Sequence, residues 1–419
     1  MRKNKSEETS GMLRNTLLNT GSSIVYFFLQ WATTVLAVRF ASFETAGVYA
    51  MAISFTNIFY FFALFGIRNY QISDVENRYS AGQYTGARLV AALGAALGFL
   101  AAALLTGLPP YTFACYLVYM VFKLGEAYTE GYFSVLQKHR RYQTLAGSYL
   151  AKAVLSTGLF AAALGLTHDL LTAIIAMTAG YILVIAAMDI PQLVRMGDNT
   201  VAFRGCGGIL YHCVPLLLIS LSVPVMNYMT RYAVEQELNQ YYVGQYASLS
   251  SVIVVMSTLA GAVFVVFIPE VSEWSSRGEW SQIRRLVALS MVLMAAAGVA
   301  AVAAGWLLGP IVCSLIFGAE ILESIGLLIP LLVTATLLMV KSFFSSMLVP
   351  LNRRGLLLAG ECCGAVLCVL TAIPFTRWWG MQGANLSYLV GILLQIGILG
   401  GGTLHIIWKS HNTMEREEL

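Results

Sequence analysis

The sequence predicts an all-α polytopic membrane protein of about twelve transmembrane helices, in two six-helix lobes related by a parallel internal repeat. Three observations predict this fold: the apolar composition, a regular series of apolar segments, and similarities between the two halves of the chain. Of 419 residues, 58% are hydrophobic and only 11% are charged, which is about half the charged fraction of a soluble protein. A dozen spans of about 20 residues each use nearly the whole chain, so there is no room for a soluble catalytic domain.

Apolar segments long enough to cross a bilayer follow one another along the chain. The first of them follows a basic tail and is too long for the apolar core of a secretory signal, so we expect it to stay as the first helix. The tightest connection lies at residues 166–169, between the fifth and sixth segments. The predicted spans are residues 17–38, 45–67, 87–107, 112–135, 145–166, 169–190, 208–230, 242–268, 286–308, 325–349, 355–375 and 382–407.

Basic residues are concentrated in alternate connections, and connections rich in Lys and Arg stay in the cytoplasm. The cytoplasmic set comprises Arg68, Arg78, Arg88, Lys138, Arg140, Arg141, Arg195, Arg204, Arg277, Arg284, Arg285, Arg353 and Arg354. The opposite set holds only Arg39, Arg231 and Arg377. This asymmetry predicts that both termini are cytoplasmic. The predicted segments are a cytoplasmic tail at 1–16, an N-terminal lobe at 17–195, a cytoplasmic linker at 196–207, a C-terminal lobe at 208–407 and a cytoplasmic tail at 408–419.

Reporter fusions test this orientation directly. A reporter that is active only outside the cytoplasm is expected to be active after Glu320 and inactive after Arg277, because the two positions fall in connections of opposite charge. Activity after Arg277 would contradict the predicted topology.

The second half of the chain repeats features of the first about 195 residues later. The outer ends of spans 1 and 7 read Arg-Phe-Ala at residues 39–41 and Arg-Tyr-Ala at residues 231–233. Spans 2 and 8 open on Gly-Val-Tyr-Ala at residues 47–50 and Gly-Gln-Tyr-Ala at residues 244–247. Because each half holds six spans, both halves enter the membrane in the same direction. Such parallel repeats are typical of transporters with a cavity between their halves.

The layout resembles the oligosaccharide-lipid flippases of the O-antigen and exopolysaccharide type, within the multidrug/oligosaccharidyl-lipid/polysaccharide exporter superfamily. The resemblance covers nearly the whole chain. Its local carriers are the start of span 2 at residues 47–50, the Phe-Gly-Ile-Arg sequence that closes this span at residues 65–68, and the polar loop containing Tyr79, Tyr84 and Arg88.

The resemblance implies a flippase of the bacterial plasma membrane that works by alternating access. Its substrate would be an undecaprenyl-pyrophosphate-linked glycan, moved from the inner to the outer leaflet for polysaccharide biosynthesis through a cationic cavity. The resemblance suggests a polysaccharide polymerase as a further partner, besides the lipid bilayer, and leaves coupling to H⁺ or Na⁺ open. The net charge of +4 gives no indication of nucleic-acid binding.

Ionisable side chains inside membrane spans are costly and are therefore candidates for function. The six within the predicted spans that drew attention are Lys123, Glu126, Glu130, Lys152, Lys341 and Glu361. The first three share one face of span 4, because they are three and four residues apart. The internal repeat predicts a pair of Glu130 with Lys152 in the first lobe and a pair of Lys341 with Glu361 in the second.

Two interpretations of these charges stay open. In the first, they are ion pairs within each lobe that keep charged groups tolerable in a low-dielectric bundle. In the second, the basic side chains bind the diphosphate of the substrate. The substrate-binding candidates are then Lys123, Lys152, Lys341 and Arg68. The ion-pair or gating candidates are Glu126, Glu130, Glu361, Arg39 and Arg231. Snorkelling to the lipid headgroups also explains the two outer arginines.

Alternative functions are weighed against the same features. Cation-coupled multidrug exporters of the superfamily commonly rely on a buried carboxylate in span 1 or span 7, where this sequence offers only Gln30 and Asn227. A lipid II flippase usually has two additional spans and arginines within span 1. An enzyme is disfavoured, because the sequence contains no nucleophile motif, no cluster of metal ligands and no Gly-rich phosphate loop.

Overall fold

The computed structural model describes residues 2–74, 78–139, 141–196 and 200–417, and its side chains except at 2–20, 72–73, 138, 254–255, 257–266, 268–269 and 410–417. The described chain is nearly all helical and contains no strand. The predicted tails and the basic residues Lys138 and Arg140 lie wholly or partly outside this description. The chain divides into two compact units, Met1–Leu221 and Ser222–Leu419.

The helices follow one another with short connections. Those of the first unit are α1 (Arg2–Phe40), α2 (Phe43–Leu64), α3 (Ile67–Ser73), α4 (Ala81–Leu105), α5 (Pro110–Lys138), α6 (Tyr142–Thr167), α7 (Leu170–Val184), a π-helical segment (Ile185–Asp189) and α8 (Ile190–Met196). Helix α9 (Cys206–Glu237) begins in the first unit and ends in the second. The remainder are α10 (Gln240–Ser276), α11 (Trp280–Phe317), a 3₁₀ segment (Ala319–Leu327), α12 (Leu328–Leu348) and α13 (Arg354–Glu417).

Within the described residues, nine helices are long and apolar enough to span a membrane. The last of these, 56 residues long, is two spans joined at Trp379 and Gly380, whose backbone is not helical. Helix α5 adds a span that is less apolar because of its three central charges, and α10 adds another whose side chains are only partly described. The twelve predicted spans are therefore confirmed, and the protein is a multi-pass membrane protein.

The tight connection predicted at residues 166–169 is a helix-to-helix turn. His168 adopts a left-handed conformation (φ 54°) that ends α6, and the side chain of Asp169 accepts a hydrogen bond from the backbone N–H of Thr172 at 2.8 Å, which caps the next helix. The His168 ring also lies 2.7 Å from the backbone carbonyl of Phe40 at the end of α1. This turn therefore joins two antiparallel spans without an intervening loop.

The charged helices are packed on several sides. Helix α5 contacts α2, α4, α6 and α7 in the first unit, and α12 contacts α10, α11 and α13 in the second. A polar face on either helix is therefore turned towards other helices, where an unpaired charge is costly.

A second turn places an arginine beside α5. Phe65 and Gly66 both have positive φ angles (49° and 67°), which end α2 and start α3. A side chain on Gly66 would also meet the Cβ atom of Leu216 at 2.7 Å. Glycine is therefore required at this turn both for conformation and for space, and the turn brings Arg68 towards α5.

Candidate substrate-binding and ion-pair clusters

The first cluster surrounds the ammonium group of Lys123 and is called the Lys123 cage. Lys123 Nζ lies 2.6 Å from Glu126 Oε2, and the hydroxyl of Tyr26 on α1 donates to Glu126 Oε1. The ammonium also lies 5.1 Å from the ring centre of Tyr60 and 5.6 Å from that of Tyr119, distances at which a cation is attracted to an aromatic face. The Phe122 ring lies 5.8 Å away. The Lys123 cage is therefore one carboxylate and three rings around one cation, with a tyrosine hydroxyl bonded to the carboxylate.

The second cluster lies further along the same face of α5 and is called the Arg68 cluster. The guanidinium of Arg68 donates to Glu130 Oε2 through Nη1 and to Gln137 Oε1 through Nη2, the latter at 2.9 Å. The hydroxyl of Tyr149 donates to Glu130 Oε1 at 3.1 Å. The side chains of Arg68 and Glu130 are 34% and 21% exposed, so this pair is more accessible than the three described lysine–carboxylate pairs.

A second guanidinium lies beside this cluster. Arg88 donates to Gln71 Oε1 at 2.8 Å and to Ser134 Oγ at 3.2 Å. A Cβ atom on Gly131 would lie 3.2 Å from Arg88 Cδ, so the arginine stem runs directly across α5. Arg68 is therefore bonded to the Glu130 carboxylate, and the Arg88 side chain lies against the next residue of α5.

The predicted pair of Glu130 with Lys152 is wrong. Lys152 instead forms an ion pair with Asp189 and donates to Thr129 Oγ1 at 2.9 Å, while Ser148 donates to Asp189 Oδ1 at 2.7 Å. The side chains of Lys152 and Asp189 are both 0% exposed. Glu130 is already occupied by Arg68, which reaches it from α3, an element that the repeat does not take into account.

Asp189 was missed among the buried charges of the sequence. It is the last residue of the π-helical segment Ile185–Asp189, and an extra residue in one turn changes which side chains face the bundle. Pro191 follows two residues later and lacks the N–H that would continue the α-helical pattern. The available signal was an aspartate within the predicted span 169–190, two residues before a proline.

The second unit contains the predicted pair of Lys341 with Glu361. Lys341 Nζ lies 2.7 Å from Glu361 Oε1, and both side chains are buried. Ser345 Oγ donates to Glu361 Oε1 at 3.0 Å, and Gln395 Nε2 donates to Glu361 Oε2 at 3.2 Å and to Ser222 Oγ at 2.9 Å. The carboxylate is therefore held by three side chains.

The two outer arginines are placed differently. Arg39 is exposed near the end of α1, and Arg231 is partly buried six residues before the end of α9. Both make interactions within the protein. Their assignment to an outer gate stays a prediction.

Span 1 contains no acidic residue, but a carboxylate from another helix contacts it. Glu126 reaches Tyr26 on α1 from α5, and Gln30 Nε2 lies 3.5 Å from the same tyrosine hydroxyl. A buried acid therefore lies against the first span although no acid is part of it.

No protein-family model matches the chain, and no curated protein matches it. Solved structures do match. A multidrug resistance MATE family transporter of the MOP superfamily, in an inward-facing conformation, aligns with a TM-score of 0.69 at 14% identity, over 93% of this chain and 96% of that chain. The MATE transporter VcmN of Vibrio cholerae in its bent form aligns with a TM-score of 0.60 at 15% identity, over 97% and 98%. The eukaryotic MATE transporter AtDTX14 aligns with a TM-score of 0.63 at 16% identity, over 97% and 99%.

These similarities define the class of fold. Over its described residues, the chain shares its fold with these MATE transporters. At such low identity the similarity extends to the fold alone.

Proposed function

We propose that the protein is a flippase that moves a polyprenyl-pyrophosphate-linked oligosaccharide from the inner to the outer leaflet of a bacterial plasma membrane, by alternating access. The observation that carries the proposal is the Arg68 cluster, where Arg68 binds the partly exposed carboxylate of Glu130 and a second arginine, Arg88, lies against the next residue of α5. Arginine binds phosphate oxygens in pairs through its planar fork. A diphosphate that displaced Glu130 would meet both arginines at once.

The proposal assigns the candidate residues to two groups. Arg68 and Arg88 would contact the diphosphate. Lys123 lies on the same face of α5 as Glu130, two turns before it. Lys152 and Lys341 are held by carboxylates and fully or nearly fully buried, so we assign them to the ion pairs that stabilise each unit. Passage of the glycan to a membrane polymerase and cytoplasmic termini are part of the same proposal.

A cation-coupled multidrug exporter is the second candidate function. Two observations favour it: one of the named structural neighbours is a multidrug resistance transporter, and Glu126 supplies a buried carboxylate against α1. In this protein, however, the carboxylate already has a lysine ammonium as its counter-ion, whereas an exporter of cations needs that carboxylate for its ligand.

Binding of a short-chain polyprenyl diphosphate to the purified protein tests the proposal. Replacement of Arg68 or Arg88 with glutamine is expected to weaken binding about 10- to 100-fold, since each charge-assisted hydrogen bond contributes about 1.5–3 kcal/mol. Arg195→Gln, a change at an exposed arginine of α8, serves as the matched control and should bind as the wild type does.

The same protein, reconstituted in vesicles, separates the two functions. A fluorescent diphosphate lipid should change leaflets, and this movement should be slowed by Arg68→Gln. Export of a cationic dye without movement of the diphosphate lipid would contradict the flippase and support the exporter.

A further inference from the structure

The Lys123 cage is a cation-binding site, and the cation bound in it is the ammonium group of Lys123. It combines the Glu126 carboxylate with the ring faces of Tyr60 and Tyr119, and Tyr26 orients the carboxylate from α1. A carboxylate with aromatic faces is the combination that binds free ammonium ions. Nothing in this chemistry requires that the cation be a lysine.

Lys123 is less tightly enclosed than the other buried lysines, so its ammonium can move out of its site more easily. Lys152 is 0% exposed and is also bonded to Thr129, and Lys341 is enclosed with a carboxylate held by Ser345 and Gln395. The Lys123 side chain is 11% exposed, and its ammonium has one hydrogen-bonded partner among the described residues, Glu126. A lysine ammonium on a flexible four-carbon stem can exchange one anionic partner for another.

Withdrawal of the lysine would leave a buried carboxylate with Tyr26 as its hydrogen-bond donor. An uncompensated charge in such a site is strongly unfavourable, so a replacement cation is needed for Lys123 to stay away. A substrate with a diphosphate offers the lysine a new partner and a free cation can then restore charge balance in the cage.

We propose that Lys123 leaves the cage for the anionic group of the bound lipid and that one free monovalent cation takes its place beside Glu126, so that substrate and cation load together. This inference rests on the proposed function, because the diphosphate supplies the anion. The exchange is non-covalent and conserves charge: the lysine neutralises one charge of the diphosphate, and the free cation neutralises Glu126.

The exchange predicts that added monovalent cation raises the affinity for the substrate, whereas ordinary salt screening lowers it. If one cation binds with the substrate, thermodynamic linkage requires that the cation raise the affinity for the substrate. Screening of exposed charges has the reverse effect, because added salt weakens the attraction between an anion and a cationic site.

Isothermal titration of the purified wild-type protein with farnesyl diphosphate provides the first test. Methylammonium chloride replaces N-methyl-D-glucamine chloride at constant ionic strength, so that screening does not change. A tenfold rise in methylammonium is expected to raise the affinity by up to about tenfold, the limit for one linked cation. The affinity of Glu126→Gln for farnesyl diphosphate should not depend on methylammonium. If this single variant does not fold, the double variant Lys123→Gln/Glu126→Gln, which removes both charges, replaces it.

The outcomes of this titration are distinct. Binding that does not depend on methylammonium, or that depends on it equally without Glu126, would overturn the inference and leave the proposed function standing. If farnesyl diphosphate does not bind the wild type at all, the proposed function fails and the exchange fails with it.

A second test requires no substrate. Lys123→Ala removes three carbons and the ammonium, so n-propylammonium matches the missing group. We expect n-propylammonium to raise the thermal unfolding temperature of Lys123→Ala while leaving the wild type and Lys123→Ala/Glu126→Gln unchanged, and 1-propanol to have no such effect. Lack of stabilisation in Lys123→Ala would show that the cage does not admit a free cation and would overturn the inference.

Discussion

Replacement of Asp189 with alanine is expected to lower the free energy of unfolding by about 3–5 kcal/mol, because it leaves Lys152 as a buried charge without its counter-ion. Both side chains are completely buried, so bulk water does not reach the ammonium. The partners that remain are neutral: the Thr129 hydroxyl at 2.9 Å and the rings of Phe133 and Tyr181, whose centres lie 5.0 Å and 5.3 Å from the ammonium. Thermal unfolding of the purified protein in detergent measures the loss.

Two variants give this prediction its controls. Lys152→Met with Asp189→Leu removes both charges together and should recover most of the lost stability, since replacing a buried pair by apolar groups is often nearly neutral. Arg195→Ala changes an exposed charge and should stay within about 0.5 kcal/mol of the wild type. An Asp189→Ala protein as stable as the wild type would show that this pair does not stabilise the first unit.

Glu361→Ala is expected to cause a loss of similar size in the second unit, again about 3–5 kcal/mol. The substitution removes the counter-ion of Lys341, and it also removes the acceptor of Ser345 Oγ and one of the acceptors of Gln395 Nε2. The unfolding temperature and the amount of folded protein in the membrane are the measurements.

The exchange of the two charges, Lys341→Glu with Glu361→Lys, distinguishes a structural pair from a substrate contact. Gln395 Nε2 points at residue 361, while its Oε1 is buried and has no hydrogen-bond partner among the described residues. Rotation of this amide would present Oε1 to a lysine at position 361, so the exchanged pair can be accommodated. We expect it to recover at least half of the stability lost in Glu361→Ala, together with lipid movement.

Recovery of stability without recovery of lipid movement would instead make Lys341 a contact of the substrate. That result would contradict our assignment of this lysine to the structural pair. The second unit would then also contain a substrate-binding residue.

The spans and their connections could be predicted from local sequence, because crossing a bilayer requires a continuous apolar segment. The turn at His168 and Asp169 was found where two such segments meet. The shared face of Lys123, Glu126 and Glu130 followed from helical spacing within α5. Each of these predictions depends only on residues close together in the chain.

The partners of the buried charges could not all be predicted in this way. The repeat led to the pair of Lys341 with Glu361, but in the first unit it assigned Lys152 to Glu130. There, α3 delivers Arg68 to Glu130, and the π-helical segment turns Asp189 towards Lys152. Neither element has a periodic signal in the sequence that specifies where its side chains point.

The sequence by itself determined that this chain crosses a membrane about twelve times and carries a few charges within its spans, because hydrophobicity and helical period are local properties. Only the tertiary structure decided which carboxylate neutralises which cation. An ion pair depends on distances between helices far apart in the chain, and at the low dielectric of a helix bundle the nearest opposite charge takes the place of water.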